Sequence, residues 1–242
     1  MVFGKCKGEI NVRVNGEKLE VVNTMKYLGN VISNSVCDPM ISNVKNDFTC
    51  KVNAFLGNFS EISSHVKNSL FQQYCLSLYG STACMLDNIK VKELKIAWRK
   101  AIRRIWNLPY RTHSELLPLI SKQLSIEYVM YKRFIKHFLS GLFHKNESVN
   151  FIFHSSLYYP SRLSNNFRYV MKLCGKSIKN VKDLTYVNEM YTFIDSVGHT
   201  SSQENMRIAE QICELCQRRD SFEDWILCKH EINDILTTLC TQ

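Results

Sequence analysis

Polar and apolar residues alternate strictly through Ile10-Asn11-Val12-Arg13-Val14, and the alternation resumes at Leu19 and Val21 after Asn15-Gly16. A period of two is the signature of a strand, and Asn-Gly between two such runs is the strongest two-residue hairpin signal. Val2-Phe3 and Tyr27-Leu28-Gly29-Asn30-Val31-Ile32 read as flanking strands, so the first 32 residues are expected to be β. Two or three short strands bury too little surface to stand alone. This piece has to pack on helices or on another partner.

From Asp38 the period lengthens. Asp38 can cap a helix with Pro39 at its first position, and Ile41, Val44, Phe48, Val52, Phe55 and Leu56 then fall on one stripe. A second helix is expected over about Ser64 to Met85, with Val66, Leu70, Tyr74 and Leu78 in register. A third runs from about Ile89 to Asn107 and stops before Pro109. On it Leu94, Trp98, Ala101, Ile102 and Ile105 gather on one side, while Lys92, Lys95, Arg99 and Arg103 project from the other. Thr112-His-Ser-Glu115 reads as a capping box that opens a short helix through Leu116, Leu117, Leu119 and Ile120. Ser125 to Phe143 is again amphipathic, with Tyr128, Tyr131, Phe134, Ile135, Phe138, Leu139 and Leu142 inward and Lys132, Arg133 and Lys136 outward. Asn146 to Asn166 is polar, carries a proline and reads as a linker. Shorter helices are expected over Asn166 to Cys174, Val181 to Ser196, Gln203 to Arg219 and His230 to Cys240.

The fold class is therefore mainly α, a helical bundle behind a small N-terminal β-hairpin piece. At 242 residues, 45% of them hydrophobic and 22% charged, the chain is long enough for a substantial core. Its N-terminus lacks the apolar stretch of a secretion signal, and no run approaches the roughly 18 apolar residues of a membrane span. Both point to an intracellular protein, in cytoplasm or nucleus, with no membrane partner. Ten scattered cysteines, mostly inside apolar helical patterns, are then expected as reduced thiols rather than a disulfide framework.

Charge sharpens this picture. Between Leu86 and Lys145 there are 13 Lys and Arg against 4 Asp and Glu, which supplies the whole net charge of +9. The excess is densest from Lys90 to Trp106, where a concentrated cationic helix face suits a polyanion. Lys92, Lys95, Arg99, Arg103 and Arg104 are the candidate phosphate contacts, with Arg111, Lys132, Arg133 and Lys136 extending the track. Trp98 lies among Leu94, Ala101 and Ile105, so both it and Trp106 are expected in the core rather than against bases. Cys213-X2-Cys216 with Cys228 and His230 has zinc-ligand types, but Cys228-X-His230 is too tight for an ordinary structural site, and packing is the better reading. No Cys-His constellation and no glycine-rich phosphate loop is recognisable, so neither a catalytic residue nor a metal or other cofactor is assigned.

Four segments together resemble a known family. They are Met25-Lys-Tyr27-Leu-Gly29-Asn-Val-Ile32 after a Val-Asn-Gly hairpin, then Leu78-Tyr-Gly-Ser-Thr-Ala83, then Ala97-Trp-Arg-Lys-Ala-Ile-Arg103-Arg-Ile-Trp-Asn-Leu-Pro109, and then Thr112-His-Ser-Glu-Leu-Leu-Pro-Leu-Ile120. Their order is similar to the palm end and thumb of non-LTR (LINE-type, jockey-like or chicken-repeat-like) retrotransposon reverse transcriptases. The tail from Leu215 to Phe222 and the final Leu-Cys240-Thr-Gln resemble the C-terminus of the same elements. The resemblance implies a primer-grip role for Tyr27 and Gly29, an RNA or RNA-DNA hybrid partner, and a thumb role for the basic helix. It also implies a division into palm end (1–35), thumb-like region (36–145), linker (146–166) and C-terminal helical region (167–242). Polymerases of this family need a Tyr-X-Asp-Asp turn to hold two metal ions. No Asp-Asp pair occurs in this sequence, and the resemblance places that turn upstream of Met1. The expectation is a truncated reverse-transcriptase fragment that binds nucleic acid but does not polymerise alone. The alternative is a structural or interaction fragment that self-associates through surface left bare by the missing palm and fingers.

Overall fold

A computed structural model describes residues 12–20, 22–27, 30–33, 39–175, 192–194, 196, 203–217 and 230–236. Among them the chain is mainly helical, with two small antiparallel ribbons at the N-terminal end. In the first, β1 (Arg13–Val14) pairs with β2 (Glu17–Lys18) across Asn15 and Gly16, whose φ values of 51° and 86° are the left-handed pair that a tight hairpin turn needs. In the second, β3 (Thr24–Tyr27) pairs with β4 (Asn30–Ser33), Tyr27 opposite Asn30 and Met25 opposite Ile32. Tyr27 to Ile32 is thus not one flanking strand. The chain pairs with its own continuation, which satisfies backbone groups that a lone strand would leave open. Val2-Phe3 and Gly29 lie outside the described residues. Val12, Val14, Leu19, Met25 and Tyr27 are all exposed, and β4 rests on the helical body, at the first long helix.

That helix, α1 (Pro39–Asn58), begins at the proline and buries Ile41, Val44, Phe48, Val52 and Phe55 as the periodicity predicts. The next, α2 (Ser64–Tyr74), is capped by the Ser63 hydroxyl, which accepts from Val66 N–H. It ends well before Met85, because Leu78 (φ 41°) and Gly80 (φ 78°) take left-handed conformations that a right-handed helix cannot pass through. Its buried face also differs from the expected one: Lys67, Phe71 and Cys75 point inward, whereas Val66 and Tyr74 are exposed. Phe71 decides this by fitting between Phe48 and Phe55 of α1, with ring centroids 6.1 and 6.3 Å away. Lys67 can follow it because its stem lies along the core while its ammonium donates to the Ser60 carbonyl at 2.7 Å.

The basic helix, α3 (Ile89–Ile105), is capped by Asn88, whose side chain accepts from Lys90 N–H at 2.9 Å. It stops before Pro109 is reached. Asn107 turns left-handed (φ 48°), Leu108 N–H donates to the Arg103 carbonyl at 2.8 Å and Asn107 N–H to the Arg104 carbonyl at 3.4 Å, a Schellman closure. The short α4 (Leu116–Ser121) has Glu115 at its N-cap position with no side-chain cap bond. Thr112 is buried and its hydroxyl donates to the Pro109 carbonyl at 2.8 Å, so the expected capping box does not form.

The next three helices, α5 (Ile126–Leu142), α6 (Glu147–Tyr158) and α7 (Arg162–Leu173), pack in sequence. Residues 146–166 are accordingly no linker: α6 and the start of α7 fill most of the stretch. The polarity that suggested a connector belongs to caps, Asn146 accepting from Ser148 N–H at 2.9 Å and Ser161 from Ser164 N–H at 3.0 Å. Phe138 holds the trio together, 5.7 Å from Phe153 and stacked on Phe167 at 4.3 Å. Asn166, 2% exposed, ties α7 to the loop before α3 by accepting from Leu86 N–H at 2.9 Å and donating to the Cys84 carbonyl at 2.7 Å. Finally α8 (Gln203–Gln217) covers α4 and touches α2, with Ile208, Ala209 and Ile212 inward. Residues 230–236 are helical and bury Ile232 and Leu236. One buried cluster runs from Met40 to Leu236. No helix among the described residues is long and apolar enough to cross a membrane.

Candidate nucleic-acid interface

The two faces of α3 divide as the sequence indicates. Val91, Leu94, Trp98, Ala101, Ile102 and Ile105 are buried, Trp98 at 0% exposure, and Trp106 is buried beside them. Neither indole is available to a base. The opposite arc carries Lys92, Ile96, Arg99, Lys100 and Arg103, and Ile96 and Lys100 are exposed.

Which cations remain uncompensated is settled by their partners. Of seven Lys and Arg on α3, only Lys95 meets a carboxylate among the described residues, the half-buried Glu127 of α5. The one acid on the helix, Glu93, is drawn to Lys45 of α1 at 2.6 Å. Lys90 donates to the Ser42 hydroxyl at 2.7 Å and Arg104 to the Asn53 amide oxygen at 2.9 Å. Arg103 donates to the Thr112 carbonyl at 2.8 Å and reaches the Ser114 hydroxyl at 3.4 Å. Such neutral acceptors fix geometry but leave the positive charge in place. Burial, reinforced by the like charge of Arg99, pushes the Arg103 guanidinium below its ordinary pKa. Both arginines of the last turn, Arg103 and Arg104, also face the negative end of the helix dipole, which favours them there whatever they bind.

The candidates on α5 separate differently. Arg133 is half-buried and its guanidinium is committed to the carbonyls of Leu76 and Ser77, which it holds at the break after α2. It is a structural anchor for that turn. Lys136 is exposed and Lys132 half-buried. Arg111 is exposed on the loop that follows α3. Tyr27 is 58% exposed at the end of β3, and Gly29, its expected companion, falls outside the described residues.

Two features escaped the sequence reading. The loop 109–114 folds back against the C-terminal half of α3 and leaves an open notch of about 400 Å³, lined by Arg99, Lys100, Arg103, Arg111 and Tyr110 among others. Tyr110 stands at 85% exposure. A tyrosine after a proline carries no periodic signal, so only the fold brings it to the arginines. The second is a contact between His65 Nε2 and Cys213 Sγ at 4.0 Å, with the imidazole edge-on to Trp106 at 4.7 Å. Burial raises the Cys213 thiol pKa and lowers that of His65, which favours the neutral form of each. Cys216 and Cys228 lie outside the described side chains, and no group of three metal-ligand residues assembles among those described. Searches for similarity to known proteins give no matching family, no matching curated protein and no matching solved structure.

Proposed function

We propose that the outer arc of α3, with the loop after it, is a phosphate-tracking surface for RNA or an RNA-DNA hybrid, and that the chain derives from the palm end, thumb and C-terminal region of a non-LTR retrotransposon reverse transcriptase. The observation that carries the binding reading is charge without compensation: Lys92, Arg99, Lys100 and Arg111 have no carboxylate partner among the described residues, and the helix's one acid is turned away to Lys45. A row of cations along a well-packed helix and the loop that follows it exchanges condensed counterions for phosphates. The origin rests on the order of the sequence segments. Without paired aspartates the chain binds but does not polymerise. Fluorescence anisotropy with a labelled RNA-DNA hybrid tests this: binding that weakens steeply with added salt supports it, and no binding at low salt refutes it.

A second reading, an interaction fragment, is favoured by the exposed Val12, Val14, Leu19, Met25 and Tyr27 of the ribbons. It expects concentration-dependent self-association in size-exclusion chromatography and no affinity for the hybrid.

A further inference from the structure

We infer that the notch between the C-terminal half of α3 and the loop 109–114 holds one unstacked nucleotide of a single strand, its phosphate among Arg99, Lys100, Arg103 and Arg111 and its base on the ring of Tyr110. This rests on the proposed nucleic-acid reading and narrows it to a site and a class of strand.

Three observations carry it. The notch is open, with a volume of about 400 Å³ that can seat a single nucleotide, and its lining holds four cations and no carboxylate. Placing so many like charges together is unfavourable until an anion joins them, and the burial of Arg103 beside Arg99 makes that tension specific. The Arg103 side chain is meanwhile fixed by the Thr112 carbonyl and Ser114, so the loop and this one cation are positioned before any ligand arrives. The third observation is Tyr110. An aromatic ring 85% exposed gains nothing from the core, yet it lies next to the cations, with the exposed apolar side chain of Ile96 on the facing helix. Cations for the backbone and a solvent-facing ring for a base are the two parts of a single-strand site. A base inside a duplex is already stacked on its neighbours and cannot use the ring, which is why the pairing of features favours single strands or frayed ends.

The test compares labelled octauridylate, the same backbone without bases, and an RNA-DNA hybrid, against the wild-type chain and two variants. Tyr110→Ala is expected to weaken octauridylate binding by about 5- to 150-fold, the range measured for loss of one stacked base. Tyr110→Phe, which keeps the ring, should stay within about twofold of wild type, as should binding of the base-free backbone and of the hybrid to Tyr110→Ala. At 85% exposure the residue carries no core packing, so folding is not the variable. If Tyr110→Ala binds octauridylate as wild type does while the hybrid still binds, the nucleotide site is wrong and the basic-face reading survives. If the wild-type chain binds neither, both fall.

Discussion

Asn166→Ala is the sharpest test of how the helices are joined. The side chain sits 2% exposed and makes two bonds to backbone far away in sequence, accepting from Leu86 N–H at 2.9 Å and donating to the Cys84 carbonyl at 2.7 Å. Alanine removes both partners and puts no water in their place. Each stripped, buried backbone group costs about 1–3 kcal/mol, so the expected loss is about 2–6 kcal/mol. With a urea dependence of about 2–3 kcal/mol per molar, the unfolding midpoint should fall by about 1–3 M. Asn165→Ala, one residue away and exposed, is the control and should stay within about 0.5 kcal/mol of wild type. Urea titrations followed by tryptophan fluorescence and by circular dichroism supply the numbers. A midpoint unchanged in Asn166→Ala, or a first transition in which only α6 and α7 melt, would show that these helices are a separate body and not part of the cluster with α3.

Three further outcomes follow from the same structure. Gly141 of α5 lets Phe153 of α6 approach so closely that an added Cβ would stand 2.4 Å from its ring, so Gly141→Ala should cost about 1–2 kcal/mol by overpacking despite the better helix propensity of alanine. A stabilised Gly141→Ala would mean α5 and α6 are not in this contact. Burial and the charge of Lys122 hold His65 below its usual pKa of 6.5, so below that value the unfolded chain takes up a proton that the folded imidazole resists. Stability should be full above the unfolded value and decline as pH falls through it, with a melting temperature lower at pH 5.5 than at pH 7.5, and His65→Gln should flatten that dependence; a flat wild-type profile contradicts it. Cys75 is buried and its thiol is pushed up to about 11, whereas Cys50 is exposed, so mass-spectrometric mapping after brief native alkylation at pH 8 should find Cys50 modified and Cys75 protected until denaturant is added.

Much of the fold was legible because long amphipathic periods state both element and face. The stripe of α1 and the buried side of α3 are where the spacing of Ile41 to Phe55 and Leu94 to Ile105 put them. What was not legible came from choices between near-equal local options. On α2, Val66-Leu70-Tyr74 and Lys67-Phe71-Cys75 share one spacing, and only the slot between Phe48 and Phe55 selects the second. The break at Leu78 has no local sign, since leucine adopts a left-handed conformation only where tertiary contacts impose it. Residues 146–166 looked like a connector because helix caps and turn residues use the same amino acids. At the interface the cations themselves were visible in the sequence, but their partners were not. Glu127 claims Lys95 from 32 residues away, and the Leu76 and Ser77 carbonyls claim Arg133 from more than 50. Tyr110 needed the fold of the loop 109–114 to become part of a site at all.

The central claim is that the charge matters by its place on α3 and not by its amount. Salt dependence of binding to an RNA-DNA hybrid tests it directly, with a triple variant Lys92→Gln, Lys100→Gln, Arg111→Gln set against a control of equal charge, Arg168→Gln, Lys172→Gln, Arg207→Gln, all six residues being exposed. If the α3 cations sit on phosphates, the logarithmic slope of affinity against salt should be about −3 to −5 for wild type and should shrink by about 2–3 in the α3 variant, while the control keeps the wild-type slope. Equal slopes for the two variants, or no binding by the wild-type chain, would contradict the account.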